Sequence, residues 1–163
     1  LTVKTMKKTF LLLLATFTLS IVFAQTKVYK GTSSYSGDVI CNVKDNKVYK
    51  KSSSYSGDIT CKISGSKIYK GSSSYSGDVL YNIKDGKVYK GNSSYSGDIA
   101  MTIKDGKIYK GTSSYSGDVI ATIRSGKVYT GNSSYSGDIA FTIDGYATIE
   151  EFVAIWHTVK YVY

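Results

Sequence analysis

Few residues in this chain could do chemistry, and their spacing is regular. There is one His, His157, near the C-terminus, and two Cys, Cys41 and Cys61, at matching places 20 residues apart. Acid–base or nucleophilic catalysis needs a side chain with a partner that positions or activates it. No Ser or Cys has a His close by in sequence, so His157 reads as a solvated or packing residue and no catalytic residue is expected. Asp follows Gly at six equivalent positions: Asp38, Asp58, Asp78, Asp98, Asp118 and Asp138. Repeated carboxylates could bind Ca²⁺, but the Gly-Gly-x-Gly-x-Asp pattern of calcium-binding solenoids is absent. Asp beside Ser and Gly suits turn capping instead. Neither a metal nor a cofactor is expected.

The richest candidates are aromatic. Tyr29, Tyr49, Tyr69, Tyr89, Tyr109 and Tyr129 recur at 20-residue intervals flanked by Lys, except that Thr130 follows Tyr129, and a second row runs from Tyr35 to Tyr135. Tyr has an apolar body and a polar tip, so a ring of them beside Lys could grip sugars or anionic headgroups. The plainer reading is cross-strand packing against Thr, Asn and Lys stems, since strands favour Tyr in any case.

What positions these residues is an internal repeat. Ser-Ser-Tyr-Ser-Gly-Asp occurs six times, always 20 residues apart, dividing the chain into units 27–46, 47–66, 67–86, 87–106, 107–126 and 127–146. In the third unit Val79, Tyr81 and Ile83 alternate with Leu80, Asn82 and Lys84, the period of a half-buried strand. Asp85-Gly86 follows, a strong signal for a two-residue type I′ hairpin. Lys87 to Lys90 is then the return strand, with Ile83 opposite Val88 and Asn82 opposite Tyr89. The expected core face is Val79, Tyr81, Ile83 and Val88, which puts Tyr89 and its equivalents on the outer face. The Gly-x-Ser-Ser-Tyr-Ser-Gly segments are the longer connections, and the chain builds its turns from Gly, Asn and Asp, with 16 Gly and no Pro.

Six units give twelve short antiparallel strands. An open array would need polar caps and would leave a bare edge strand, whereas closure pairs the first strand with the last. The expected fold is therefore all-β: a closed, shallow barrel of six hairpin repeats spanning 25–146, followed by one C-terminal helix in 147–163. The helix is announced by Thr148-Ile149-Glu150-Glu151, a capping box, and by Ile149, Phe152, Val153, Trp156 and Val159 at helical spacing. Ile155 and Val162 make its other face apolar too, so it should be buried in or over the barrel. The expected channel lining is Cys41, Cys61, Tyr81, Met101, Ala121 and Phe141 from the strands, with Phe152 and Trp156 from the helix. Their varied sizes would suit packing against one asymmetric object. Cys41 and Cys61 should not be bonded to each other. Two strand spacings separate them, about 9.5 Å, whereas a disulfide needs Cα atoms within about 7 Å.

Residues 1–24 read as a signal peptide. Met6-Lys7-Lys8 is a basic start, Phe10 to Phe23 an apolar run, and Val22-Phe23-Ala24 a cleavage site before Gln25. Met6 opens the pattern so cleanly that it is the expected start. The apolar run is short for a membrane span. Export to the periplasm, cell surface or extracellular space is expected. Without Lys4, Lys7 and Lys8 the chain keeps 18 basic and 12 acidic residues, a net charge of +6. That favours anionic surfaces in general. It does not single out nucleic acid, because the Lys are spread evenly and Arg124 is the only Arg.

The Lys-Asp-Gly-Lys-Val-Tyr hairpins, the Gly-Asp-Ile strand starts and the closing Thr-Ile-Glu-Glu-Phe-Val-Ala-Ile-Trp segment together resemble the β-flower family of bacterial exported proteins. That family is best known in a four-fold form, whereas this chain has six units. The resemblance implies a shallow symmetric barrel with an apolar channel. A further likeness to tubby-type barrels, which hold a hydrophobic helix and bind membrane lipid, implies lipid or another apolar molecule as ligand. Two other readings compete. One is a structural or adhesive surface module using the Tyr- and Lys-rich exterior. The other is a choline-binding-like hairpin solenoid, which ranks last because such repeats rely on Trp cages and Trp156 lies outside the repeats.

Overall fold

The computed structural model describes residues 25–163. The expected signal peptide, residues 1–24, lies outside the described residues. The strands are β1 (Thr26–Lys30), β2 (Val39–Lys44), β3 (Lys47–Lys50), β4 (Ile59–Ser64), β5 (Lys67–Lys70), β6 (Val79–Lys84), β7 (Lys87–Lys90), β8 (Ile99–Lys104), β9 (Lys107–Lys110), β10 (Val119–Arg124), β11 (Lys127–Thr130) and β12 (Ile139–Asp144). One helix, α1 (Ile149–Tyr161), follows. Every strand pairs antiparallel with its sequence neighbours, and β1 closes the ring against β12 with Val28 opposite Ile143. All six units thus join one barrel and no edge is left unpaired.

Two kinds of connection alternate around the ring. At one end, the turn end, two-residue hairpins join β2 to β3, β6 to β7, β8 to β9 and β10 to β11, with both central residues at positive φ as type I′ turns require. Asp85 and Gly86, for example, stand at φ 52° and 73°. The β4–β5 turn differs. Only its first residue, Gly65, has positive φ (56°), the sign pattern of a type II′ turn. At the other end, the connection end, each longer link finishes in a single 3₁₀ turn such as Ser36–Asp38. Here the Asp residues do cap: Ser33 Oγ donates to Asp38 Oδ2 at 2.6 Å and accepts from the Tyr35 N–H at 3.1 Å. The same pair of bonds recurs in the other five units.

One residue in this pattern is strained. Five units begin the connection with Gly at φ 53° to 60°, whereas the second unit places Lys51 there at φ 52°. A Cβ added at the equivalent Gly91 would come no nearer than 3.8 Å to any atom, so the cost at Lys51 is conformational rather than a clash. Lys51→Gly should therefore stabilise the barrel by about 0.5–1 kcal/mol. A raised urea midpoint at unchanged slope is the expected reading; an unchanged or lower midpoint would rule the strain out.

The hairpin registers are as the alternation predicts, with Ile83 opposite Val88 and Asn82 opposite Tyr89. The longer connections hold a departure. On β5 and β6, Ile68 lies opposite Tyr81 but Tyr69 lies opposite Val79, so Leu80 is an extra residue, a β-bulge. The bulge occurs at the same place in all six units. It corrects the expected core face. Directly opposed residues point to the same side of a sheet, so Val79 shares the outer face with Tyr69. Leu80 turns inward and packs on the central core. Of the column Ile40, Thr60, Leu80, Ala100, Ile120, Ala140, the residues Ile40, Leu80 and Ala140 pack on the core and Thr60 bonds Thr158, whereas Ile120 is exposed.

Helix α1 fills that lumen. Its capping box is formed, with the Glu151 N–H donating to Thr148 Oγ1 (3.2 Å) and the Thr148 N–H to Glu151 Oε2 (2.8 Å). Thirteen helical residues span about 20 Å, and so do six residues of strand, so the helix crosses the barrel from mouth to mouth. Phe152, Val153, Ala154, Ile155, Trp156 and Thr158 are buried. Ile149, counted from its spacing among the buried residues, is instead half exposed at the turn end.

Candidate functional site

The helix does not run down the barrel axis. It packs on β2, β3, β4 and β5, and the lumen side chains there are small. Cys41 and Cys61 are both fully buried. Cys61 Sγ sits 3.9 Å from the Ala154 carbonyl and 3.9 Å from Thr158 Oγ1. Thr60 and Thr158 share a buried hydroxyl–hydroxyl hydrogen bond of 2.8 Å, and Thr158 also donates back to the Ala154 carbonyl at 3.0 Å. Across the barrel larger residues reach the helix. The Phe141 and Trp156 ring centroids are 6.4 Å apart, and Tyr81 meets the His157 ring edge-on at 5.5 Å.

All eight expected lining residues thus face the lumen, but together they make a packed core rather than an open channel. Cys41, Cys61, Met101, Ala121, Phe141, Phe152 and Trp156 are buried and Tyr81 is half-buried against His157. The outer Tyr row is packed, in line with the plainer reading of it. Tyr29, Tyr49, Tyr89 and Tyr129 are buried and Tyr69 and Tyr109 half-buried. The connections fold back over this face, where Asn82 Nδ2 donates to the Ser93 carbonyl (2.9 Å) and Thr122 Oγ1 to the Gly131 carbonyl (2.9 Å). Tyr29, Tyr49, Tyr89 and Tyr129 therefore act as packing, while Tyr69 and Tyr109 keep part of their surface open. The exposed aromatic row is the second one, Tyr35 to Tyr135.

Burial sets the titration of the groups inside. Burial pushes the Cys41 thiol up to about 12 and the Cys61 thiol up to about 11, and it pushes Tyr81 up to about 12 and His157 down. A nucleophilic Cys needs the opposite shift. Both Cys are free. Among the described residues no group of three or more His, Cys, Asp or Glu is arranged to hold a metal ion. The thiols carry a testable consequence. Since the native state holds them protonated, their contribution to stability is complete below pH 9 and is lost as pH rises towards 11–12. The native protein should resist iodoacetamide at pH 8.5 and react once denatured. Its urea midpoint should fall more steeply between pH 9 and 11 than that of a Cys41→Ala/Cys61→Ala variant. Equal slopes would mean that the thiols are not desolvated.

The off-axis helix leaves a gap on its open side. At the turn end, away from β2–β5, an apolar cavity of about 250 Å³ lies between the helix start and the opposite wall. Ile103, Ile123 and Ile143 line it from β8, β10 and β12, and Ala147, Ile149 and Phe152 line it from the C-terminal segment. The equivalent Val43, Ile63 and Ile83 are buried, whereas Ile103 and Ile123 stay half exposed. Of the expected lining only Phe152 borders this cavity. The rest could not be found from the sequence, because the Ile of every unit is alike until the helix chooses a side.

A closed barrel of six near-identical hairpins around a single helix defines a class of radially repeated β-proteins. The family model described as "6-fold beta flower protein" matches residues 28–156, and the chain belongs to that family. No curated protein and no solved structure matches it.

Proposed function

We propose that this β-flower protein is an exported, non-enzymatic barrel that binds an apolar ligand at its turn-end mouth. The observation that carries the reading is the half-open apolar cavity of about 250 Å³ beside the helix start. A dry cavity of about 150 Å³ accepts benzene, and pockets for drug-sized ligands begin near 300 Å³. The site therefore suits the end of an acyl chain or a small ring, with any polar part left outside. The residues around the opening, Gly126, Gly145, Tyr146 and Thr148, carry no charge, so the polar part of a ligand would face solvent. Export rests on the basic start, apolar run and cleavage site in residues 1–24.

The test has three arms. Organic extraction of the purified protein followed by mass spectrometry should yield an apolar molecule. Titration with decanoate should give saturable heat, lost in Ile123→Gln and Ile149→Gln. N-terminal sequencing of secreted material should begin at Gln25. An empty extract together with no heat from decanoate removes the ligand reading, and a start at Met6 removes the cleaved-export reading.

A further inference from the structure

We infer that the connection end of the barrel is a multivalent binding face for a carbohydrate polymer, with Tyr35, Tyr55, Tyr75, Tyr95, Tyr115 and Tyr135 as its stacking platforms. These rings are 72–79% exposed, so packing does not hold them. Their repetition contrasts with what surrounds them. The lumen column has drifted through Cys41, Cys61, Tyr81, Met101, Ala121 and Phe141. The exposed position three residues before the Tyr has drifted as well, through Thr32, Ser52, Ser72, Asn92, Thr112 and Asn132. Ser-Tyr-Ser is unchanged in all six units although every one of its residues is exposed. The Ser33–Asp38 bond and its equivalents account for the shape of the connection, but they use no part of the Tyr ring.

The surroundings favour a polyol. Each ring stands on a connection pinned by two hydrogen bonds, so little ordering is left to do on binding. In the third and fourth units the ring lies over Gly77 and Gly97, where an added Cβ would fall 2.9 and 3.1 Å from it. In the other four units the space beside the equivalent Gly is open. In the fifth unit Lys110, Thr112, Ser114, Tyr115 and Asp118 line a shallow groove. Hydroxyls, a carboxylate and an ammonium around an apolar ring face match the alternation of C–H faces and hydroxyl edges on a sugar. Charge disfavours a lipid surface or nucleic acid. Lys30, Lys50, Lys51, Lys70, Lys90 and Lys110 at this end are balanced by the six capping Asp; Lys62, which donates to Ser74, and Lys160 at the helix end add two cations, so the face is only weakly positive. The strands that carry neighbouring platforms are two strand spacings apart, about 9.5 Å, on the scale of one disaccharide of an extended polysaccharide. Around the closed ring a polymer can engage adjacent units, and weak single contacts multiply.

Native gels cast with hydroxyethyl cellulose, glycol chitin or dextran, and co-sedimentation with peptidoglycan, test this on the full chain. Wild type should be retained by at least one polymer. Tyr115→Ala should weaken retention by less than about threefold, and replacement of all six Tyr by Ala by more than about a hundredfold, because avidity is lost stepwise. Melting temperature and Trp156 emission should be unchanged, since the rings are exposed. If the six-fold variant does not fold, the variant with Tyr35, Tyr75 and Tyr115 replaced by Ala serves instead, with a loss of at least tenfold. No retention by any polymer, equal retention of the Tyr-free variant, or binding confined to anionic vesicles would overturn the inference. The decanoate cavity lies at the opposite mouth, so failure of either reading leaves the other standing.

Discussion

Deleting residues 147–163 should remove most of the stability of this barrel. Phe152, Val153, Ile155 and Trp156 are at most 7% exposed. At roughly 1.5–3 kcal/mol each their burial amounts to about 6–12 kcal/mol, an upper bound because the unfolded chain already hides some surface. Even half of that is comparable to the whole stability of many domains, about 5–15 kcal/mol. The loss is compounded on the strand side, where Cys41, Cys61, Val48 and Ile68 would face an empty, wettable lumen. The truncated chain should melt far below the full-length protein and bind a dye that reports apolar surface, while the intact protein should show blue-shifted emission from Trp156. Melting within a few degrees of the full-length protein would mean that the strands fill the lumen by themselves and α1 is peripheral.

The second large effect concerns where the helix sits. Cys61→Phe should destabilise the protein by about 3 kcal/mol or more, at the top of the range for overpacking. Cys61 is fully buried and its sulfur touches the Ala154 carbonyl and Thr158 at 3.9 Å, so there is no room on that wall for an aromatic ring. The same column holds Phe141 without strain, because there the helix stands off and Trp156 meets the ring at 6.4 Å. Phe141→Cys should also destabilise, by about 3 kcal/mol, but by leaving a cavity instead of a clash. The double exchange should not restore stability, since the helix would have to cross the lumen. Urea denaturation of the three variants checks this. A Cys61→Phe variant as stable as wild type would place the helix elsewhere.

Much of this architecture is legible in the residues. The 20-residue period, the Asp-Gly turns and the alternation around them determine the hairpin register, because a two-residue turn admits one pairing and a one-residue slip would turn every side chain over. Thr148 and Glu151 determine where the helix starts, since their spacing satisfies two end N–H groups at once. Closure follows from the absence of any unit suited to be an edge. The six-fold ring and its helix were therefore within reach of the sequence.

Three features were not. The bulge at Leu80 and its five equivalents falls within a pair of adjacent apolar residues, Val79-Leu80 in the third unit. Either residue could face inward, and only pairing with the neighbouring strand selects Leu80. The burial of the Tyr29 row depends on connections folding back over the outer face, through side-chain bonds to backbone carbonyls that no local pattern announces. The seat of α1 is the third. Six similar units are nearly equivalent until one asymmetric helix enters, and it settles against β2 to β5, over Cys41 and Cys61. What the sequence determined by itself was the symmetric frame, which local turn chemistry and period can specify residue by residue. What only the tertiary structure decided was how that symmetry is broken, and with it which wall is packed and which mouth holds the cavity, because those depend on volumes summed across the whole lumen.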